Sequence, residues 1–576
     1  MNDYLIKKGF NSFLFVSILA TLAATVGMLV DGMVIKYLGQ ESVSAFGMSS
    51  PVFILIAALA GIFSNGGTTL CSNYIGRGEG EKIKLNFTVT CLGAVAVGIV
   101  VTLVCIFGCD MIAGLLGAQG ELMTLTGEYI RGIGVGGIVI MLSQVLLFYV
   151  RLDNDSVLGF VSVVFMTLAN VAMDIVLGLI LKWGLFGMGL ATSISYLVCM
   201  LVCMVHFLRK DNLLKLTRPR DGMDEMKQVV LTGIPSALNR ACLTVRGIIL
   251  NHLLLVLGGS LAVSALSVQN TVNQMLGSVT MGVGMTVVMM GGIFYGEKDE
   301  SALGRTLKVG LRIGFALSAV TAVLVFVFAG PIVGLLLQTT AEGMELAVRC
   351  LRMFCISLPV SLICVVLLNF YQCTRNLFMA NLLSVCHGLI FVVLYALSLS
   401  PFMGTDGVWL SFFFAELTTL GVCVLVIYIR RKRNPIKIKE LMMLPEGFEP
   451  NQERMLNISI NNDMAKVMEL SRRVSEFCAR YSDDKEKIDR LSLSIEEMAG
   501  NIVEHGFKDK KEHYIDIKIV MAGEDIIFRM RDNGIPFNPL QAENREEQYG
   551  IPIIRKLAKD LDYRRTIGMN NLTVTL

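Results

Sequence analysis

The first 444 residues contain little charge. They hold 30 Lys+Arg and 23 Asp+Glu, whereas the 132 residues from Pro445 to Leu576 hold 20 and 24. A soluble protein must cover its surface with polar side chains, so this shortage, together with a mean hydropathy of +0.64 and 54% hydrophobic residues, excludes a wholly soluble protein. The abrupt change predicts a membrane part followed by a soluble domain, with a boundary near residue 440.

Two kinds of motif are also missing. No Gly-x-x-x-x-Gly-Lys-Ser/Thr loop occurs, which counts against transport driven directly by ATP hydrolysis. The 14 cysteines, of which only Cys478 lies in the charged tail, have no cluster of His and Cys around them. We therefore interpret them as packing residues of a membrane core rather than as metal ligands or disulfides. We expect no nucleic-acid partner.

The first 444 residues do contain a series of apolar runs, and a run of about 20 residues crosses ~30 Å of hydrocarbon as a helix. Twelve runs occur, at approximately 13–35, 46–68, 88–109, 128–150, 158–181, 187–208, 229–256, 261–290, 307–328, 345–370, 378–400 and 407–429. Alternate connections hold most of the basic residues, at 77–84, 209–227, 298–308 and 430–439. The positive-inside rule therefore predicts a multi-pass protein of a bacterial-type inner (plasma) membrane with both termini in the cytoplasm.

A weak internal repeat has a constant offset of 220 residues. Val43-Ser44-Ala45 recurs as Val263-Ser264-Ala265, and Tyr74-Ile75-Gly76 is matched by Phe294-Tyr295-Gly296. The same offset relates three further positions to Gly404, Gly407 and Leu410, namely Gly184, Gly187 and Leu190. Two six-helix halves of equal orientation around a central cavity are typical of alternating access.

These patterns predict the fold class and the domains. We expect an all-α polytopic membrane protein of about twelve helices in two parallel-repeat lobes, followed by a C-terminal α/β sandwich. The predicted domains are an N-terminal lobe at 1–210, a cytoplasmic inter-lobe linker at 211–228, a C-terminal lobe at 229–433, a second linker at 434–450 and a cytoplasmic domain at 451–576.

Charged groups at membrane depth cost about 2–3 kcal/mol or more, so those present are candidates for function. Asp31 lies in the first predicted helix, and Asp174 lies in the fifth with Asn170 one turn before it on the same face. Carboxylates paired with an amide oxygen can hold a proton or bind Na⁺. Glu416, His387 and His252 are weaker candidates, for which packing is the preferred interpretation. Arg240 and Arg246 are expected to snorkel rather than attract an anionic substrate.

The membrane part resembles the multidrug and toxic compound extrusion (MATE) family across roughly residues 10–430. The resembling segments are VDGMVIKYLGQESVSAFG, NYIGRGEGEK, VRLDNDS, NVAMDIVLGLILKWGLFGMGLATSIS and DGVWLSFFFAEL. The resemblance implies a cation-coupling site at Asp31, Asn170 and Asp174, with Thr192 as a further member, and export of small organic, often cationic compounds against H⁺ or Na⁺. Asp153-Asn154-Asp155 stands where the family usually has a Gly-containing turn.

The tail has the pattern of an α/β domain, with strands near 456–460, 514–521, 525–531 and 571–575 and helices around 463–481, 485–505 and 551–561. Glu497 and Asn501, four residues apart, share a helix face, so that one can act as a base while the other offers an oxygen to Mg²⁺. The Asp532 carboxylate could accept the adenine amino group, and Gly534 lets the backbone approach the base. Gly550 opens a helix whose N–H groups could hold phosphates.

The tail resembles the ATP-binding fold of histidine kinases, Hsp90 and gyrase, most closely the anti-sigma-factor serine kinases. The resembling segments are LSLSIEEMAGNIVEHGF, RMRDNGIPFNP and YGIPIIRKLAKDLDYRRTIGMNNLTVTL. The resemblance implies that Glu497 is the general base, Asn501 the Mg²⁺ ligand and Asp532 the adenine contact, with Gly534 and Gly550 in nucleotide loops. Gln548-Tyr549 replaces a glycine that the family usually has before Gly550, which puts catalysis more in question than binding.

Two hypotheses follow. The first is a cation-coupled exporter whose tail binds ATP and Mg²⁺ and regulates transport or phosphorylates a cytoplasmic protein on serine. The second is a signalling receptor that uses the transporter fold as a sensor and the tail as a serine-kinase-like output. The carboxylates Asp31 and Asp174 favour the first.

Overall fold

A computed structural model of the protein describes residues 2–209, 212–220, 222–337, 339–434, 437–448, 454–509, 511–522, 525–538, 556 and 558–576. The helices are α1 Asp3–Lys36, α2 Gln40–Arg77, α3 Gly80–Phe107, α4 Cys109–Leu115, α5 Glu121–Val135, α6 Gly137–Leu152, α7 Ser156–Met173, α8 Gly184–Met204, α9 Gly222–Gly296, α10 Glu300–Val327, α11 Ala329–Leu336, α12 Ala341–Cys373, α13 Leu377–Val385, α14 Phe391–Met403, α15 Thr405–Arg431, α16 Ile438–Leu441, α17 Met464–Cys478 and α18 Lys485–His505. Asp174–Ile180 and Cys386–Ile390 are π-helical, and Val205–Leu208 is a 3₁₀ turn. The strands are β1 Met455–Asn461, β2 Tyr514–Ala522, β3 Asp525–Asp532, β4 Asp560–Thr566 and β5 Met569–Thr575.

The helices of the apolar part have the lengths that membrane spans require. Ten described helices are long and apolar enough to cross a bilayer, or eleven if α5 and α6, bent by 52°, form one span. α9 has 75 residues and loses helical geometry at Gly258 and Gly259, so it contains two spans. Large apolar side chains are exposed on the outside of this part, for example Phe107 at 83% and Leu335 at 86%. Hydrocarbon, not water, is the solvent that such a surface fits.

The chain divides into two compact units. One comprises Leu14–Glu297 and Leu307–Leu444, and the other comprises Met1–Phe13, Lys298–Thr306 and Pro445–Leu576. The first unit contains most of the membrane helices, and the second contains the sheet.

In the larger unit the two sequence repeats meet where α2 crosses the end of α9. A Cβ on Gly76 would lie 2.0 Å from the Ile293 carbonyl oxygen, and one on Gly296 would lie 2.1 Å from the Asn73 carbonyl oxygen. Gly76 and Gly296 are the residues related by the offset of 220. Only glycine permits such a close backbone approach, which explains why both positions of the repeat are glycine.

The start of α9 is fixed to the first lobe by a buried carboxylate. Glu225 accepts hydrogen bonds from the Tyr74 hydroxyl at 2.9 Å and from the Asn86 amide at 2.6 Å. Tyr149 donates in turn to Asn86. Buried polar groups that are all paired specify one arrangement of the helices that carry them, here α2, α3, α6 and α9.

The tail forms a five-stranded antiparallel sheet in the order β1-β2-β3-β5-β4. α17 and α18 supply the rest of its core, with α18 contributing Ile488, Leu491, Ile495 and Met498 at helical spacing. Both helices begin at an aspartate cap: Asp463 accepts from the Ala465 N–H at 3.0 Å and Asp484 from the Lys487 N–H at 3.0 Å.

One predicted element of the tail differs from the structure. The helix expected around 551–561 lies mostly outside the described residues, but Asp560 and Leu561 begin β4. β4 pairs with β5 through the two-residue turn at Ile567 and Gly568, both with positive φ. Only Gly568 of this turn favours φ > 0, so the sequence carried a weak signal for a hairpin in place of a helix end.

We predict that the lobe crossing is sensitive to one methyl group. Gly76→Ala and Gly296→Ala should each lower the melting temperature of the purified protein, because overpacking costs about 1–3 kcal/mol. The double variant should be less destabilised than the sum of the two single variants, because either methyl group alone already forces the same two helices apart. Gly277→Ala is the matched control in α9, because no atom lies within 4 Å of its added Cβ. Equal effects at positions 76 and 277 would contradict the steric argument.

Candidate functional sites

Three of the predicted coupling residues meet inside the N-terminal lobe. The Asn170 side-chain amide donates to Asp31 Oδ1 at 3.1 Å and to Asp174 Oδ2 at 2.9 Å. α1 is held against α7 nearby, where the Thr167 hydroxyl donates to the Ala23 carbonyl at 3.3 Å. Two carboxylates joined by one neutral amide carry a net negative charge, which in a membrane interior requires a proton or a metal cation.

The backbone at this cluster is unusual. Asp174 begins the π-helical segment, and π-helical turns are frequent at functional sites because they displace a side chain from the regular helical register. Asp174 is 1% exposed, and its Oδ1 atom accepts no hydrogen bond from the described residues. A buried acceptor without a partner is costly, and a bound cation would satisfy it.

The fourth predicted residue, Thr192, lies near the other three, but its hydrogen bond stays within its own helix. Thr192 is buried on α8, but its hydroxyl donates to the Met188 carbonyl of its own helix at 3.3 Å. Ser195, on the next turn, contacts the cluster, with its Oγ 3.5 Å from Asn170 Oδ1. The i,i+3 relation between these positions was the only sequence signal that could have indicated Ser195.

The turn after α6 explains the departure at Asp153-Asn154-Asp155. Asn154 has φ +61°, in the left-handed region that asparagine tolerates better than most residues with a side chain, so the turn forms without glycine. The two aspartates bind the His206 ring on either side, at 2.8 and 3.1 Å.

In the C-terminal lobe the structure pairs two residues that the sequence did not connect. His387 Nδ1 lies 2.7 Å from Glu416 Oε1, and both side chains are buried. The Arg246 guanidinium lies over the Phe412 ring, 5.2 Å from the centroid, and its predicted snorkelling stays a prediction.

The tail contains a cavity of about 120 Å³ between α18 and the sheet. Its polar lining residues include Asn501 and Asp532, and most of its wall is apolar, as is usual for sites that bind small molecules. The lining consists of Met498, Asn501, Ile502, His505, Gly506, Met530, Asp532, Ile535, Phe537, Tyr563, Asn570 and Leu572.

Asp532 is held in position by a residue that the sequence analysis missed. Its Oδ1 accepts from the Gly534 N–H at 2.7 Å and from the Asn570 amide at 2.8 Å. Asn570 in turn accepts from Tyr563 at 2.9 Å and from Arg565 at 2.7 Å. β3 and β5 pair Asp532 with Asn570 directly, a register that no local motif indicates.

The other predicted tail residues are placed as follows. Gly534 allows a close backbone contact with the end of α18, because a Cβ there would lie 2.4 Å from the Gly506 carbonyl oxygen. The structure thus gives this glycine a packing role in addition to the predicted approach to a base. Glu497 is half-buried one turn before Asn501 and is not among the residues lining the cavity. Gly550 lies outside the described residues.

Comparison with known proteins identifies the membrane part. The MatE family profile matches residues 17–176 and 235–397, more than half of the chain. The chain belongs to the MATE family of transporters. The predicted resemblance and fold class are thereby confirmed, and the chain is a multi-pass membrane protein.

Relatives of this MATE chain include two staphylococcal proteins. It is 25% identical to the multidrug export protein MepA of Staphylococcus saprophyticus over 444 residues, which is 76% of this chain and 96% of the relative. It is 26% identical to MepA of Staphylococcus aureus over 422 residues, 70% of this chain and 89% of the relative.

Solved MATE structures have the same fold. One is described as the outward-facing conformation of a multidrug resistance MATE family transporter, with a TM-score of 0.70 at 21% identity over 74% of this chain and 96% of the other. A transporter of the same superfamily from Pyrococcus furiosus gives a TM-score of 0.70 at 20% identity over 75% and 98%.

The tail is a histidine kinase-like ATPase domain, by a family match to residues 460–576. This confirms the predicted class of the domain. It adds an ATPase-like module to a chain whose membrane part matches almost the full length of the staphylococcal relatives.

We predict a pH effect from Asp532 in the tail. Burial raises the pKa of Asp532, against the hydrogen bonds from Gly534 and Asn570. Its contribution to stability is therefore greatest below the unfolded pKa of about 3.9 and is lost as the pH rises through the folded pKa. At pH 7, Asp532→Asn should leave β3 at least as protected from hydrogen exchange as in the wild type.

Asp525→Asn is the control at the other end of β3. The adjacent Lys559 lowers the pKa of Asp525, so the effect of pH on its contribution to stability is opposite to that of Asp532. Asp525 stabilises the fold above its unfolded pKa, and Asp525→Asn should therefore slightly reduce protection at pH 7. A loss of protection in Asp532→Asn alone would contradict the assignment of Asp532 as a buried, desolvated acid.

Proposed function

We propose that the protein is a cation-coupled antiporter that exports small organic compounds by alternating access. The observation that carries this proposal is the Asn170 amide bridging Asp31 and Asp174 at 3.1 and 2.9 Å. Binding of one H⁺ or Na⁺ removes one negative charge from the pair, and release restores it, so cation binding changes which helix arrangement is favoured. The bridge joins α1 to α7, so this change acts directly on helix packing.

The substrate class rests on the relatives. Both staphylococcal proteins are named multidrug export proteins, and the matches cover 96% and 89% of their lengths. We infer organic, xenobiotic compounds, including cations, as substrates. A bacterial-type plasma membrane with cytoplasmic termini is the location that the basic loops favour.

We further propose that residues 451–576 bind ATP with Mg²⁺ in the cavity between α18 and the sheet. Asp532 would accept from the adenine amino group, and Asn501 would be the Mg²⁺ ligand. Glu497, one turn from Asn501, would be the general base if the domain phosphorylates serine on a partner, as its likeness to anti-sigma-factor kinases suggests. Otherwise the nucleotide regulates transport.

Export should depend on the bridged carboxylates. In vesicles with an imposed H⁺ or Na⁺ gradient, Asp31→Asn and Asp174→Asn should abolish gradient-driven dye export. Asn170→Ala should reduce it about tenfold or more, since a hydrogen bond to a charged group is worth about 1.5–3 kcal/mol. Asp110→Asn, an exposed residue at the start of α4, is the control and should transport normally. Full export by Asp31→Asn combined with Asp174→Asn would refute coupling through this pair, whereas no export by the wild type would favour the receptor hypothesis.

Nucleotide binding should separate the roles of two α18 residues. With Mg²⁺ and the full-length protein in detergent, Asn501→Ala should lose ATP binding, while Glu497→Gln should bind ATP but fail to transfer phosphate. Glu486→Gln, which changes an exposed α18 residue paired with Arg490, is the control and should bind ATP and transfer phosphate as the wild type does. Absence of binding in the wild type would refute the site, and binding without transfer in the wild type would indicate a nucleotide sensor.

A further inference from the structure

A second cluster of ligand-type side chains lies in the C-terminal lobe, away from the Asp31 site. Cys364 on α12, His387 in the π-helical segment Cys386–Ile390 and Glu416 on α15 each offer one ligand atom, and these atoms all lie within 4.8 Å of one another. The side chains are 1%, 7% and 4% exposed. We propose that they form a binding site for one divalent transition-metal ion of the Zn²⁺ class.

The donor set determines the class of metal. Thiolate, imidazole and carboxylate are the three ligand types of protein zinc sites, whereas Mg²⁺ and Na⁺ take oxygen ligands. The His387 and Glu416 atoms are 2.7 Å apart, which is a hydrogen bond, and Cys364 Sγ lies 3.7 Å from the Glu416 carbonyl oxygen. A metal would replace the hydrogen bond between His387 and Glu416 and would widen that contact slightly.

The charge balance makes the exchange compatible with the membrane interior. Binding M²⁺ to a thiolate, a neutral imidazole and a carboxylate gives three ligands and a metal with net charge zero, and the thiol proton of Cys364 is released.

The internal repeat provides a comparison at the same place in the fold. The offset of 220 relates Cys364, His387 and Glu416 to Gln144, Thr167 and Tyr196. In the N-terminal lobe Gln144 donates to Tyr196 at 3.4 Å, so the equivalent helices pack there without a metal-ligating set. The fold therefore does not require Cys, His and Glu at these positions.

Two features beside the cluster suit a ligand. His387 lies in a π-helical turn, as Asp174 does in the other lobe. The next residue, Gly388, lies against α9, where a Cβ would be 3.4 Å from Asn239 Oδ1 and 2.8 Å from Cys242 Cβ. Asn239 Oδ1 is a buried acceptor without a hydrogen-bond partner in the described residues.

The experiment measures metal retained by the full-length protein in detergent after Zn²⁺ loading and removal of free metal. The wild type should retain one Zn²⁺ per chain and release at least one proton per Zn²⁺ in weak buffer, because the Cys364 thiol must lose its proton to bind the metal. Cys364→Ser, His387→Gln and Glu416→Gln should each lose at least about 90% of the retained metal. Cys355→Ser, a buried cysteine of the same helix, and His252→Gln are matched controls and should retain it.

A second measurement keeps the proposal testable if the site variants do not fold. Wild-type protein loaded with Co²⁺ should show the charge-transfer absorption of a cobalt–thiolate bond, and Zn²⁺ should abolish it. Absence of that band, absence of retained Zn²⁺, or equal retention by Cys364→Ser and Cys355→Ser would each overturn the proposal. These readouts are independent of transport and ATP binding, so they do not depend on the proposed function.

Discussion

The close crossing of α2 and α9 is the contact on which the membrane part depends. Where Gly76 and Gly296 meet, each backbone occupies the space that the other's side chain would need. The two glycines are related by the sequence repeat, so the lobes contact each other through equivalent positions. Beside this crossing Glu225 accepts buried hydrogen bonds from Tyr74 and Asn86. The close backbone approach and the paired polar groups together specify one arrangement of the two lobes.

The two clusters of ionisable side chains, one in each lobe, do not lie at positions related by the sequence repeat. The repeat positions of Asp31, Asn170 and Asp174 are Asn251, Ile390 and Leu394, which cannot reproduce the carboxylate pair. The C-terminal lobe instead has His387 and Glu416 at positions where the N-terminal lobe has Thr167 and Tyr196. The repeat therefore supplies the scaffold, and each lobe has its own chemistry. Because each cluster joins helices of one lobe, a change in its charge acts on the helix packing of that lobe.

Sequence reasoning succeeded where the signal was local or periodic. The apolar runs predicted the spans, the offset of 220 identified Gly76 and Gly296 as equivalent, and the i,i+4 spacing placed Asn170 beside Asp174. It failed where contacts depend on register between distant segments. Asn570 reaches Asp532 through the pairing of β3 with β5, and Cys364 reaches Glu416 across 52 residues. The scattered cysteines gave no sign of the second case, because three ligands from three helices leave no spacing motif.

The tail shows the same division between local and tertiary information. Glu497 and Asn501 are visible in the sequence as a helical pair, but only the fold brings Asn501 to the cavity that Asp532 lines. Gly534 makes this possible, since it lets the Asp532 loop pack against the Gly506 carbonyl at the end of α18. The hydrogen bonds from Gly534 and Asn570 both go to Oδ1 of Asp532, which leaves Oδ2 as the acceptor for a ligand amino group. The carboxylate is thus oriented before any ligand binds, and the rotational entropy that binding would otherwise cost has been lost on folding.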